Sequence, residues 1–289
     1  MPAPPLEKLW ARLDGTNRPA LETRLSVLDH GVLYGDSAYE TLRTYAGKVF
    51  RLGEHLARLR RTAVGIRLEL PWTDSELAAE IAALQADLQG ELYIRLLVLR
   101  GVGELDYARN QAQRPTLVVL AGPFVEQPEW LYTRGLTAGL VEMRRSPHRA
   151  LSPNYKTGNL LNARLAHMEA RERGWQEALM LNLEGHLTEA SSSNLFLVLD
   201  GVLSTPAVSD GILEGVTRNA LLELAAAEGI PTRVASLGPE TLEQASEAFL
   251  TSTTRAVGPI GQLGGRPLPV PGPLTTRLME LFRAHAGGL

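Results

Sequence analysis

Two prolines interrupt an otherwise regular chain at Gly122-Pro-Phe-Val-Glu-Gln-Pro-Glu-Trp, where neither helical nor strand periodicity survives. Proline lacks the amide proton that a helix interior or a sheet ladder needs, so such a stretch reads as a connector. With 289 residues, the chain is long enough to bury a core on each side of it. The expected fold class is α/β, organised as a smaller α+β N-terminal domain over 1–123, a connector over 124–134 and a larger, β-rich α/β C-terminal domain over 135–289.

On the N-terminal side, Ala38-Tyr-Glu-Thr-Leu-Arg-Thr-Tyr-Ala-Gly-Lys-Val-Phe reads as two β runs around a turn at Ala46 and Gly47. Two amphipathic helices follow. Glu54 to Val64 sets Leu56, Leu59, Ala63 and Val64 at helical spacing, and Thr73 to Gln89 does the same with Leu77, Ile81, Leu84 and Leu88. Strands are expected at 91–99 and 116–121. Beyond the connector, Leu160, Leu161, Leu165 and Met168 mark the apolar face of a helix ending at Gly174. Strands are then expected at Glu177–Asn182, Leu187–Ala190 and Asn194–Leu199, with Asp200-Gly201 as a hairpin turn before Val202-Leu-Ser-Thr. A second helix runs from Thr217 to Glu228, closed by Gly229.

Composition removes several function classes. A net charge of −3 leaves no electrostatic footprint for a nucleic-acid backbone, so no nucleic-acid partner is expected. The absence of cysteine excludes disulfides, thiolate metal sites and cysteine nucleophiles. The start, Met-Pro-Ala-Pro-Pro-Leu-Glu-Lys, is no secretory signal, and no apolar run approaches the roughly 20 residues of a membrane span. A cytoplasmic protein without a membrane partner is the expectation. None of the six histidines pairs with another at metal-ligand spacing, and no metal is assigned.

Lysine usage is more informative. Of 29 basic residues only Lys8, Lys48 and Lys156 are lysines. Arginine keeps its proton, whereas a buried lysine can lose it and attack a carbonyl, so each lysine is a candidate for amine chemistry. Lys156 stands in Ser152-Pro-Asn-Tyr-Lys-Thr-Gly-Asn just before a helix, where it reads either as a reactive amine against the core or as a solvated lysine. Glu189, beside small residues and just before the apolar run 194–199, is either a buried acid needing a cationic partner or a surface acid on a β-ribbon. Gly215, Val216 and Thr217 open a helix whose free N–H groups suit a phosphate, or simply cap it. Thr251-Ser-Thr-Thr is a second hydroxyl-rich turn, and Arg58 is either a phosphate donor or a snorkelling surface residue. A lone amine, an acid after a β run and phosphate donors at a helix start together match what pyridoxal 5′-phosphate requires.

At these residues the chain resembles the fold-type IV pyridoxal-phosphate enzymes, the class IV aminotransferases that include branched-chain and D-amino-acid aminotransferases and aminodeoxychorismate lyase. The likeness runs from about His30 to the C-terminus. Its motifs, in family order, are His30-Gly-Val-Leu-Tyr-Gly-Asp-Ser-Ala-Tyr-Glu-Thr-Leu-Arg, Phe50-Arg-Leu-Gly-Glu-His-Leu-Ala-Arg-Leu, Tyr155-Lys-Thr-Gly-Asn, Leu187-Thr-Glu-Ala-Ser-Ser-Ser-Asn-Leu-Phe, Gly211-Ile-Leu-Glu-Gly-Val-Thr-Arg and Thr251-Ser-Thr-Thr.

The resemblance implies Lys156 as Schiff-base lysine and proton shuttle, Glu189 as partner of the pyridine nitrogen and Leu213 as the residue packing on the ring. It implies Arg58, Val216, Thr217 and Thr253 as the phosphate cup, and Tyr39, Tyr93, Arg95 and Thr254 as residues facing substrate. It also implies a site between two domains, a C-terminal domain that binds the cofactor, and a homodimer acting on an amino acid and a 2-oxo acid. Three departures bear on the reaction. Lys156-Thr-Gly-Asn-Leu-Leu lacks the tyrosine that many relatives carry after the lysine, Gly101-Val-Gly-Glu-Leu-Asp-Tyr stands where D-specific relatives have Arg-x-His, and the Gly-Arg-Gly-Tyr of some lyases is absent. Tyr93-Ile-Arg and Arg100-Gly-Val-Gly are similar to the branched-chain side. The expected activity is a branched-chain-like aminotransferase; the alternatives are an aminodeoxychorismate lyase releasing pyruvate and 4-aminobenzoate, and a D-amino-acid aminotransferase.

Overall fold

The computed structural model describes residues 4–105 and 114–287, which excludes Asp106 and Tyr107 of the Gly101-Val-Gly-Glu-Leu-Asp-Tyr run. The chain groups into two units, one built from residues up to Glu126 with Tyr155–Asn159, the other from Gln127–Asn154 and Leu160 onward.

In the first unit, strands Trp10–Leu13 (β1), Thr16–Pro19 (β2), Ser37–Tyr45 (β3), Lys48–Val49 (β4), Leu92–Leu99 (β5) and Thr116–Pro123 (β6) form one antiparallel sheet in the order β2-β1-β6-β5-β3-β4. The β3–β4 turn is tight because Ala46 and Gly47 both take left-handed backbone angles, φ 49° and 75°. Three helices accompany the sheet: His30–Leu33 (α1), Leu52–Gly65 (α2) and Asp74–Gln85 (α3). Thr73 caps α3 reciprocally with Glu76, which sets where that helix starts. Leu56, Leu59 and Ala63 of α2 and Leu77, Ile81 and Leu84 of α3 pack on Leu42, Ile94, Leu96 and Val98 of the sheet. Val64, expected on the apolar face of α2, is 78% exposed. Residue positions alternate along β5, so Leu92, Ile94 and Leu96 enter the core while Tyr93 and Arg95 occupy the other face.

The second unit starts inside the expected connector. Glu129–Thr133 is a short helix (α4) whose Leu131 is buried in this unit's core. Around that core run Leu136–Leu140 (β7), Leu161–Glu172 (α5), Glu177–Leu181 (β8), Leu187–Ala190 (β9), Asn194–Leu199 (β10), Val202–Pro206 (β11), Val216–Ala227 (α6), Thr232–Ala235 (β12), Thr241–Gln244 (α7), Glu247–Ser252 (β13), Ala256–Leu263 (β14), Arg266–Pro267 (β15) and Pro273–Gly287 (α8). The strand path β12-β11-β10-β13-β14-β7-β8-β9 returns on itself, because β9 also pairs β10 at Glu189 and Asn194. Six strands thereby close a ring.

Two arrangements differ from the sequence reading. Leu161, Leu165 and Met168 of α5 are 69%, 40% and 53% exposed, and Ala166 and Ala170 are the residues that bury against Val141, Ala178 and Met180. Small alanines let the helix approach the strands closely, and spacing alone does not tell which apolar stripe turns inward. Residues 155–159 lie in the range expected for the C-terminal domain, yet their backbone hydrogen bonds go to β3: Tyr39 N–H donates to the Lys156 carbonyl at 2.9 Å and Gly158 N–H to Ser37 at 2.9 Å.

That docking has a steric condition. A Cβ at Gly65, the last residue of α2, would lie 2.2–2.6 Å from three ring carbons of Tyr155. Gly65→Val is expected to displace the ring and destabilise the protein by roughly 1–3 kcal/mol, the usual range for overpacking, as read from the urea unfolding midpoint.

Candidate active site

The residues singled out in the sequence fall into two groups, one on each unit. In the first, pairing of β3 with β5 sets Thr41 opposite Arg95, which makes Tyr39 and Arg95 diagonal neighbours on the sheet face away from the core. The Arg95 guanidinium lies 4.2 Å from the centre of the Tyr39 ring. Lys156 Nζ lies 4.5 Å from the same ring centre and 3.5 Å from the Tyr39 hydroxyl. Its backbone is held independently, since Lys156 N–H donates to Thr62 Oγ1 of α2 at 3.1 Å. Among the described residues, no carboxylate forms an ion pair with Lys156 or Arg95, and Arg95 Nε is buried without an acceptor. Burial pushes the Tyr39 phenol up, but the charges of Lys156 and Arg95 and the Lys156 hydrogen bond outweigh it, leaving the phenol below its ordinary value. Tyr93 stands two residues before Arg95 on the same face.

On the core face of β3 the neighbouring residue behaves differently. Glu40 is fully buried and accepts from Arg58 Nε at 2.8 Å and Arg58 Nη2 at 2.6 Å, in a two-pronged pair, and lies 2.8 Å from His55 Nδ1. His55 and Arg58, three apart on α2, reach the same carboxylate from one helix face. Burial raises the Glu40 carboxyl, and the Arg58 charge with the Arg58 and His55 hydrogen bonds reverses this, holding it at about 2. Burial and the nearby Arg58 and Lys156 charges keep His55 below the ordinary imidazole value despite Glu40.

In the second unit the expected residues gather at one end of the closed strand ring. Glu189, 6% exposed, accepts from Arg145 Nη2 at 2.8 Å on Oε1, and from Asn194 Nδ2 at 3.0 Å and Leu213 N–H at 3.1 Å on Oε2. Asn194 also donates to the Leu213 carbonyl at 2.8 Å, tying the carboxylate to the loop before α6. A Cβ at Gly215 would lie 2.0 Å from Asn194 Oδ1, so this N-cap position must be glycine for the loop to pass. No side chain caps α6, which leaves the N–H groups of Val216 and Thr217 as an uncapped positive helix end. Arg218, next in that turn, is buried; desolvation lowers its guanidinium, while Glu214 and Glu189 act to raise it. Thr253 and Thr254 occupy the β13–β14 turn at the same ring end, because Thr251 pairs with Asn194 across β13 and β10. Thr251 Oγ1 is buried without a partner.

These groups comprise an amine that no acid among the described residues neutralises, a fixed buried carboxylate, and an anion-ready helix start with threonine hydroxyls. That donor set fits pyridoxal 5′-phosphate, whose reactive carbonyl, ring nitrogen and phosphate need those three things.

The sequence of residues 37–263 matches the family Amino-transferase class IV. The chain belongs to that family. A Methanocaldococcus jannaschii protein, provisionally named a branched-chain-amino-acid aminotransferase, is 36% identical over 265 residues, covering 91% of each chain. A Listeria monocytogenes D-alanine aminotransferase is 32% identical over 269 residues, covering 90% of each. Among solved structures, the branched-chain aminotransferase of Thermoproteus uzoniensis with norvaline is 34% identical, with a TM-score of 0.89 over 96% of this chain and 95% of that one.

This class IV aminotransferase contains site residues that sequence reading passed over. Arg145 sits in an unremarkable Met143-Arg-Arg-Ser-Pro run, and only the fold brings it to Glu189. Asn194 was legible as the first residue of an apolar strand, without its link to Leu213. Glu40 and His55 carried a faint signal, two polar residues on faces otherwise apolar.

The Glu40 group makes stability depend on pH in a stated direction. A carboxyl held at about 2 in the folded state and 4.5 otherwise contributes fully above pH 4.5 and loses its contribution as pH falls through 2. The difference corresponds to roughly 3 kcal/mol. Urea unfolding should therefore show the wild-type protein losing that increment across this window, while Glu40→Gln, already destabilised at neutral pH by a stranded Arg58, shows a flatter profile.

Proposed function

We propose that this class IV aminotransferase uses pyridoxal 5′-phosphate to move the amino group of a branched-chain amino acid to a 2-oxo acid. The observation that carries the reading is the Lys156 amine, set 3.5 Å from the Tyr39 hydroxyl and accompanied by Arg95 with no carboxylate to neutralise either cation among the described residues. Likeness to the Thermoproteus uzoniensis enzyme supports the branched-chain donor.

When bound, the cofactor supplies an electron sink for the bond broken at the substrate α-carbon and carries the amino group between the two half-reactions. Lys156 would be the amine that holds it, and its Nζ would take and return the substrate α-proton. Tyr39, its phenol drawn down by two cations, accepts a hydrogen bond from Lys156 Nζ at 3.5 Å and orients that amine. Glu189 would hold a proton at the ring nitrogen; Asn194, Leu213 and Arg145 fix its carboxylate. Val216 and Thr217 N–H groups, with Thr217 and Thr253 hydroxyls and Arg58, bind the phosphate, and Leu213 packs on the ring. Arg95, Tyr93 and Thr254 receive the substrate, Arg95 taking the carboxylate of an acidic co-substrate.

We further place the enzyme in the cytoplasm as a homodimer, with no nucleic-acid or membrane partner. Supporting this, Val27, Leu28, Val32, Leu33 and Val102 are all at least 41% exposed around α1, where Val102 bridges Asp29. Such an apolar surface suits burial against a second copy. No helix among the described residues is long and apolar enough to cross a membrane.

Lys156→Ala should lower turnover by on the order of 10⁴-fold or more and abolish the cofactor adduct that borohydride reduction followed by mass spectrometry finds on residue 156. In the wild-type protein, L-leucine should convert the visible cofactor spectrum to the pyridoxamine form faster than D-alanine does; pyruvate released without any keto-acid acceptor would instead establish a lyase. Arg95→Leu should raise KM for glutamate by roughly 10- to 100-fold, the value of a charged hydrogen bond, with little change for leucine.

A further inference from the structure

One buried ion pair lies outside every role assigned above. Arg255, 2% exposed, follows Thr253 and Thr254 in the β13–β14 turn, and its Nη2 pairs with Glu177 Oε1 at the start of β8. Its Nη1 donates to Ser193 Oγ at 2.9 Å. The other Glu177 oxygen accepts from Ser191 Oγ at 3.1 Å. Glu177 and Arg255 thus join three segments at one end of the strand ring: the turn bearing Thr253 and Thr254, the Ser191–Ser193 turn that follows Glu189, and β8.

The turn is otherwise difficult to hold. Only three residues separate Ser252 from its partner Ala256, and Ala256 takes φ 55°, a left-handed angle that favours glycine. A residue in that conformation persists where its surroundings over-determine it. Arg255 N–H donates to Ser252 Oγ at 3.3 Å and Gln127 Nε2 to the Thr254 carbonyl at 3.1 Å, while the Arg255 side chain ties the turn to the Ser191–Ser193 turn that follows Glu189. Its path is provided for: a Cβ at Gly258 would lie 3.2 Å from Arg255 Cδ.

We propose that Arg255 is a positioning residue, whose fork onto Glu177 and Ser193 sets the Thr253 hydroxyl at the distance from Glu189 that the phosphate and ring nitrogen of one cofactor molecule require. The inference rests on the reading of Thr253 as a phosphate ligand. A buried pair contributes little net stability against an apolar replacement, yet it fixes geometry, because the guanidinium fork admits one arrangement of its two acceptors.

The test measures the affinity of the full chain, stripped of cofactor and titrated by absorbance, for pyridoxal 5′-phosphate relative to pyridoxal, which lacks the phosphate. The Glu177→Gln/Arg255→Met double variant removes both charges at similar volume, and Arg255→Lys keeps the charge while losing the fork. The phosphate preference is expected to fall about tenfold in the double variant and about threefold in Arg255→Lys, with circular dichroism unchanged. Thr253→Val separates the two readings. Loss of preference in Thr253→Val, with either folded Arg255 variant keeping it within about twofold, overturns the positioning role alone. An unchanged preference in Thr253→Val overturns the phosphate reading and the inference with it.

Discussion

The chemistry of the first unit depends on a short piece of backbone pairing. Residues 156–158 lie against the start of β3, where Tyr39 N–H bonds the Lys156 carbonyl, Gly158 N–H bonds Ser37, and Ala38 bridges Thr157. Thr62 of α2 takes the remaining Lys156 amide. Because main-chain groups do the anchoring, the Nζ end of the side chain is left for chemistry. The same pairing brings Tyr39 within reach of Nζ and, through the β3–β5 register, sets Arg95 over its ring. Main-chain bonds tolerate any side chain, so the position of Lys156 does not depend on what its own side chain contacts.

Three buried carboxylates, each on an arginine, carry most of the remaining specification: Glu40 with Arg58, Glu189 with Arg145 and Glu177 with Arg255. Desolvating two charges is expensive, and the attraction gained in return is offset largely by that cost. What such pairs provide is direction, since each guanidinium presents donors in one plane. This agrees with a chain in which all but three of 29 basic residues are arginines. Arginine holds positions; the one lysine beside Tyr39 is held by its backbone, with its amine 3.5 Å from the Tyr39 hydroxyl.

Local chemistry was legible where it is decided by neighbours in sequence. Ala46-Gly47 and Asp200-Gly201 turn because their backbone angles are positive, and Gly174 and Gly229 follow α5 and α6 for the same reason. Strands 92–99 and 194–199 appear because their apolar runs can only be buried. Less legible was the inward stripe of α5, where alanines bury and leucines stay exposed. Within the proline-rich break, read as a connector, sits a helix with buried Leu131.

The residue types a pyridoxal-phosphate chemistry needs, their order along the chain and the elements that bear them were determined by sequence alone, since periodicity, turn chemistry and motif spacing are short-range properties. Tertiary structure decided which charges meet. Arg145 reaches Glu189 across 44 residues, Arg255 reaches Glu177 across 78, and Lys156 reaches Tyr39 across 117. No local pattern encodes such pairings, because each follows from strand register and ring closure, which are settled only when the hydrophobic faces of distant segments are buried together.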